Sequence, residues 1–243
     1  MKSVDGNSCI EETSGKAGGF PVIFCQRIFT LITSRFGKFS TIFSIEPPGH
    51  SFSDESMERL APVFFERNPV VCARELIGAH FRWHGCVGKI VETEAYLSVD
   101  DPACHTWFRP SARKFVEAHA AGDAYVYLNY GMHWMFNVLV KSDEGSGFVL
   151  FRALEPLEGL EFMRDRRPGL ADHLLAAGPG KLTKAFGIDG TVHGSQFLTS
   201  SGCGIFRGGS VVPCIGERIG ITKAVEFPWR FGDPSSASLS RKF

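Results

Sequence analysis

Residues 89–96, Lys-Ile-Val-Glu-Thr-Glu-Ala-Tyr, constrain this chain more than any other stretch. β-Branched residues are frequent there and polar positions alternate with apolar ones, which is the pattern of a strand. With a period of two, Glu92, Glu94 and Tyr96 share one face, and Val91, Thr93 and Ala95 share the other. Such a face admits two readings. One is a half-exposed strand with a solvated polar side. The other is a catalytic carboxylate beside an aromatic platform.

The flanking sequence makes the stretch one arm of an antiparallel sheet. Asn68-Pro69 opens a helix, with a capping side chain followed by proline in the first turn, and Gly78 stops it. Residues 80–83 read as a strand, His84-Gly85 as a turn, and residues 86–96 as the second arm of the hairpin. Residues 98–123 read as a long polar loop carrying His105, Trp107, Arg109, Arg113 and Lys114, and a loop of that length in a compact domain is usually functional or disordered. Strands are expected over 124–130, 133–141 and 148–154. A helix is expected from Glu155, acidic at its start and arginine-rich at its end, and another after Gly178-Pro179-Gly180-Lys181. Lys181, at that glycine-rich helix start, suits either a phosphate contact or an ordinary surface position. Residues 198–221 read as two or three short strands, and the serine-rich residues 233–243 as a flexible tail.

Composition excludes several function classes. The 243 residues carry 26 basic and 26 acidic side chains, so the formal net charge is zero and only a local basic face can speak for a polyanionic partner. Seven cysteines without a C-x-x-C pair argue against a disulfide framework or a zinc ribbon. Walker, dinucleotide-binding, H-E-x-x-H and G-x-S-x-G motifs are all lacking. Residues 1–59 differ from the rest: no acidic residue lies between Thr13 and Ile45, and the stretch reads as an extension, targeting-like or disordered, with no run long enough to span a membrane.

Five blocks in order resemble one family. They are residues 90–96 (IVETEAY), Tyr125-Val126-Tyr127 with Tyr130-Gly131-Met132, Arg152-Ala153-Leu154-Glu155-Pro156, Gly178-Pro179-Gly180-Lys181-Leu182, and Arg218-Ile219-Gly220-Ile221 with Pro228-Trp229-Arg230-Phe231. Together they resemble the alkyladenine (3-methyladenine) DNA glycosylase family of the mammalian type over residues 60–232. The resemblance implies an α+β fold, a single mixed domain around a curved antiparallel sheet with helices at its edges. It implies excision of alkylated or deaminated purines from double-stranded DNA by a monomer, with no cofactor, no metal, no membrane and no lyase step. A bacterial cytoplasm or a DNA-containing compartment of a eukaryote is the expected location.

Carried over residue by residue, Glu94 looks like the carboxylate that activates water, and Arg152 like the pocket arginine near the reacting nucleotide. Tyr96, His105 and Tyr127 resemble the residues that enclose the flipped base, and Asn137 the one that disfavours guanine. Tyr130 matches the side chain wedged into the duplex, with Met132 beside it. Arg109, Arg113 and Lys181 are candidate phosphate contacts. The chain departs from the family at residues 111–116, at His133 and at residues 232–234.

The chemistry suits these residue types. Breaking a purine N-glycosidic bond gives the sugar oxocarbenium character, which a nearby carboxylate stabilises while deprotonating water. The base must first leave the stack, and aromatic faces recover part of that cost. Glu92 competes with Glu94 for the catalytic role; the alternative for Glu92 is a structural ion pair with an arginine such as Arg152. Two rival functions stay open on sequence: a non-catalytic damaged-DNA binding module, and a glycoside hydrolase using Glu92 and Glu94 as a pair.

Overall fold

The computed structural model describes residues 58–243. Nearly all of the expected extension over residues 1–59 therefore lies outside the described residues. Among these, eight strands form one antiparallel sheet: β1 (His80–Trp83), β2 (Cys86–Leu97), β3 (Ala124–Asn129), β4 (His133–Ser142), β5 (Gly145–Glu158), β6 (Cys203–Phe206), β7 (Cys214–Gly216) and β8 (Arg230–Gly232). Their order is β3-β4-β5-β2-β1-β6, with β8 also paired to β2, and β7 to β8. β2 is the hub. It pairs with β5 along one edge and with β1 and then β8 along the other.

Five α-helices pack on this sheet: α1 (Pro69–Glu75), α2 (His105–Phe108), α3 (Pro110–Ala118), α4 (Leu160–Arg166) and α5 (Pro179–Phe186). α1 begins as the sequence dictates, with the Asn68 side chain accepting from the Val70 N–H at 2.9 Å and Pro69 at the first position. α5 ends on Gly187 in the left-handed conformation.

Alternation sorts the side chains of the sheet onto two faces. On one, Val126 of β3, Phe136 and Val138 of β4, Val149 and Phe151 of β5 and Ala95 of β2 join the main core with α1 and α5. On the other, Tyr125, Leu139 and Phe148 form a smaller cluster with Phe115 and Ala112 of α3, and Tyr96 and Tyr127 pack against it. β2 carries register irregularities between Ile90 and Thr93. These let Ile90 and Ala95, an odd number of residues apart, both reach the main core.

Three expectations need correction. Residues 98–123 are not a loop, because α2 and α3 occupy much of the segment. Pro110 starts α3, and Ala112 and Phe115, three apart, bury one helical face. No helix starts at Glu155. β5 continues to Glu158 because Glu155 and Pro156 pair with Lys89 and Gly88 of β2, and α4 begins only after Gly159, whose φ is 72°. Pairing with a neighbouring strand outweighs the local helix-start signal. Finally, residues 233–243 are not loose: Asp233 and Ser238 are buried, and the Ser240 N–H donates to Glu92 at 2.6 Å.

Candidate active site

The second face of the sheet bears a cavity of about 570 Å³, well within the range of small-ligand sites, roughly 300–1,000 Å³. Four strands contribute at alternate positions: Tyr96 from β2, Tyr125 and Tyr127 from β3, Met135 and Asn137 from β4, and Phe148, Leu150 and Arg152 from β5. His105 and Phe108 of α2, with Arg109, close one side. Residues 219–223 close another. Of the residues singled out from sequence, Tyr96, His105, Arg109, Tyr127, Tyr130, Asn137 and Arg152 all reach this cavity.

Glu94 lies directly behind the wall, held by three of the residues that line it. Its Oε2 accepts from the Tyr96 hydroxyl at 2.7 Å and pairs with Arg152 Nη1 at 3.2 Å, and its Oε1 accepts from the Ile219 N–H at 2.7 Å. Glu94 is fully buried. Burial pushes its carboxyl above the usual glutamate range, against the Arg152 charge and the two hydrogen bonds, which favour the carboxylate. Burial and the Glu94 charge push the Tyr96 hydroxyl well up, so it stays a donor.

Glu92 takes the alternative role. Its Oε1 accepts from Arg152 Nε at 3.2 Å, Arg230 Nη1 at 3.0 Å and the Ser240 hydroxyl at 2.9 Å. Bound by two arginines and by Ser240, this carboxylate is a structural ion pair that ties β2 to β5 and β8. The structure thus separates two carboxylates that share a strand, and removes the premise of a Glu92–Glu94 catalytic pair.

The aromatic wall is tight. His105 and Tyr127 stand edge to face with centroids 4.3 Å apart, and His105 Nδ1 shares a 3.0 Å hydrogen bond with the Tyr125 hydroxyl. Burial, with the Arg109 charge, lowers His105 to about 4, so the ring is neutral at pH 7. Asn137 is both a bridge and a wall: its Nδ2 donates to the Tyr125 carbonyl at 3.0 Å, and its side chain reaches the cavity. At the mouth, Tyr130 and Gly131 occupy the two central positions of a tight turn closed by Met132 N–H to Asn129 O at 3.0 Å. Both have positive φ, 49° and 70°. Tyr130 is 84% exposed and Met132 70%. A tyrosine held in the left-handed region on a projecting turn is a feature that folding alone does not call for.

The remaining candidates are placed elsewhere. Arg113 Nη1 donates to the carbonyls of Thr106 and Trp107, tying α3 to α2. Lys181 is exposed on the first turn of α5, whose Pro179 touches the cavity. Sequence reasoning missed the buried pair of Asp101 and Arg218, joined at 2.6 and 2.9 Å, whose guanidinium lies 4.7 Å from the centre of the Tyr96 ring. It also assigned no role to Ile219, whose backbone N–H fixes Glu94. The only sequence signal for these was the Arg-Ile-Gly-Ile block itself.

A cavity walled by aromatics, backed by a buried, hydrogen-bonded carboxylate and set on an antiparallel sheet defines a single-domain α+β protein with an enzyme-like site. Comparison with known proteins gives the family. The methylpurine-DNA glycosylase family matches residues 63–237. Over 196 residues the chain is 42% identical to a Rhodopseudomonas palustris protein, covering 79% of this chain and 94% of the relative. Agrobacterium fabrum and Nitrosospira multiformis proteins are 42% and 43% identical over 180 and 181 residues, 74% of this chain in each case and 91% and 92% of the relatives. All three relatives are named as candidate 3-methyladenine DNA glycosylases. The chain belongs to the methylpurine-DNA glycosylase family. No helix among the described residues is long and apolar enough to cross a membrane.

Proposed function

We propose that this protein, acting as a monomer, excises alkylated or deaminated purines, such as 3-methyladenine, 7-methylguanine, hypoxanthine and ethenoadenine, from double-stranded DNA, leaving an abasic site without cutting the strand. The observation that carries this is Glu94, desolvated and aimed by Tyr96, Ile219 and Arg152 against an aromatic cavity. Tyr130 enters the duplex where the base leaves it, with Met132 alongside. The extruded purine enters between Tyr96, Tyr127 and His105, and a cationic alkylated purine gains attraction to the ring faces. His105 is uncharged and does not repel it. Asn137, on the cavity wall, disfavours guanine.

In the chemical step the C1′–N bond breaks, the purine departs with the bonding pair, and water adds its oxygen to C1′. Glu94 takes the proton from that water, and its charge opposes the positive charge developing on the sugar. Arg152 keeps Glu94 ionised despite its burial. Arg109 at the mouth, and Lys181 on the neighbouring helix, meet phosphates; Arg113 acts through α2 by holding its carbonyls.

The test is to incubate duplexes carrying each lesion with the protein and then cleave abasic sites with alkali. Strand breaks that appear only after alkali are expected. No release from any lesion would sink the proposal. Lys223, exposed at the cavity rim, is an amine that would support a lyase step. Borohydride trapping of a protein–DNA adduct would overturn the hydrolytic reading.

A further inference from the structure

The segment 238–243 lies beyond the span matched by the family, residues 63–237, yet it closes beneath the Glu94 site. The Ser240 N–H donates to Glu92 Oε2 at 2.6 Å, and its hydroxyl to Oε1 at 2.9 Å. The hydroxyl also lies 3.5 Å from Arg152 Nη2. Arg230, the other cation on Glu92, donates to the carbonyls of Arg241 and Lys242 at 3.2 and 3.3 Å and lies 3.7 Å from the centre of the Phe243 ring. A side chain at Gly232 would collide with that ring. Glycine at this position makes room for the segment.

Arg152 is shared, with Nε on Glu92 and Nη1 on Glu94. Two buried carboxylates therefore compete for one guanidinium. Every other donor that Glu92 receives reduces its demand on Arg152, and Ser240 supplies two of them. Resting on the proposal that Glu94 activates water, we propose that Ser240, carried by the segment 238–243, is a positioning residue for base excision: it saturates Glu92 so that Arg152 keeps its Nη1 arm on Glu94.

The groups that face Glu94 are Glu92 and Tyr96 of its own strand, Arg152 of β5, Tyr127 of β3 and the Ile219 N–H; Arg230 of β8 faces Glu92. Without the Ser240 donors, Arg152 is drawn toward Glu92. Glu94 then loses cationic support and holds its proton to higher pH.

The experiment compares wild type, Ser240→Ala, Ser240→Thr and a chain stopped after Ala237. It reads single-turnover excision against pH, lesion-duplex binding, and the Arg152 Nε–H resonance by NMR. In the shortened chain, which loses both Ser240 donors, the rate should fall about tenfold or more while binding stays within about twofold; Ser240→Ala, which loses the hydroxyl and keeps the N–H, should fall in the same direction by less. The acid limb should move up and the Arg152 resonance should shift, with Ser240→Thr restoring both. A wild-type rate and acid limb per folded molecule, with an unmoved Arg152 resonance, would overturn the proposal. Should the shortened chain fail to fold, Ser240→Ala decides alone. Should wild type release no base, the functional proposal falls, while the Arg152 resonance of Ser240→Ala still decides the coupling.

Discussion

Two titratable side chains at the cavity respond to burial in opposite directions. The Glu94 carboxyl is raised, so excision should lose rate at a pH above the ordinary glutamate range, as Glu94 takes up its proton. The same shift makes the native state bind more protons than the unfolded chain, so the Glu94 contribution to stability falls as pH rises through that window. His105 is lowered to about 4, below its unfolded value near 6.5, and its contribution has the other sign: present above 6.5 and lost as pH falls through 4. Thermal melts between pH 7 and 4 should show a larger loss for wild type than for His105→Gln; equal losses would refute the assignment. Tyr130 gives a third test at this scale. Tyr130→Asn places a residue that tolerates positive φ at the turn, so stability should hold or rise while lesion-duplex binding weakens by about 1–3 kcal/mol, the worth of one stacked aromatic. A melting curve and a binding titration on the same variant check both halves.

At the scale of elements, what was legible in the sequence was whatever local periodicity encodes. The alternation in β2 placed Glu94 and Tyr96 on one face; Tyr127 and Asn137 came from the family resemblance, and the structure sets them at positions of β3 and β4 that reach the same cavity. α2 and α3 were hidden because Ser111, Arg113, Lys114 and Glu117 make the segment read as loop by composition; the signal was Pro110 with Ala112 and Phe115. Phe115→Ala should therefore destabilise the protein by about 3–5 kcal/mol in denaturant titration, as a core deletion does and a loop change does not. The Asp101–Arg218 and Glu92–Ser240 contacts were invisible for another reason. Their partners lie 117 and 148 residues apart, and no spacing rule reaches that far. Asp101→Asn leaves the buried Arg218 charge poorly compensated and should cost about 3–5 kcal/mol, read as a lowered denaturation midpoint.

At the scale of the whole molecule, one sheet does two jobs. Its α1 and α5 face carries the main core, which gives the site strands a rigid backing, and its opposite face carries the cavity. Most polar site groups therefore ride on strands, where positions are held more closely than on loops. The 89–96 stretch sits at the centre of that design, because β2 alone pairs with β1, β5 and β8 and so collects the arginines Arg152 and Arg230 on its two carboxylates. The most direct test of the account is single-turnover release of hypoxanthine from duplex DNA by wild type and Glu94→Gln, with lesion-duplex affinity measured on both. The account predicts that Glu94→Gln binds the lesion duplex but releases base more slowly by a factor on the order of 100 to 10,000. Release by Glu94→Gln at the wild-type rate would contradict it.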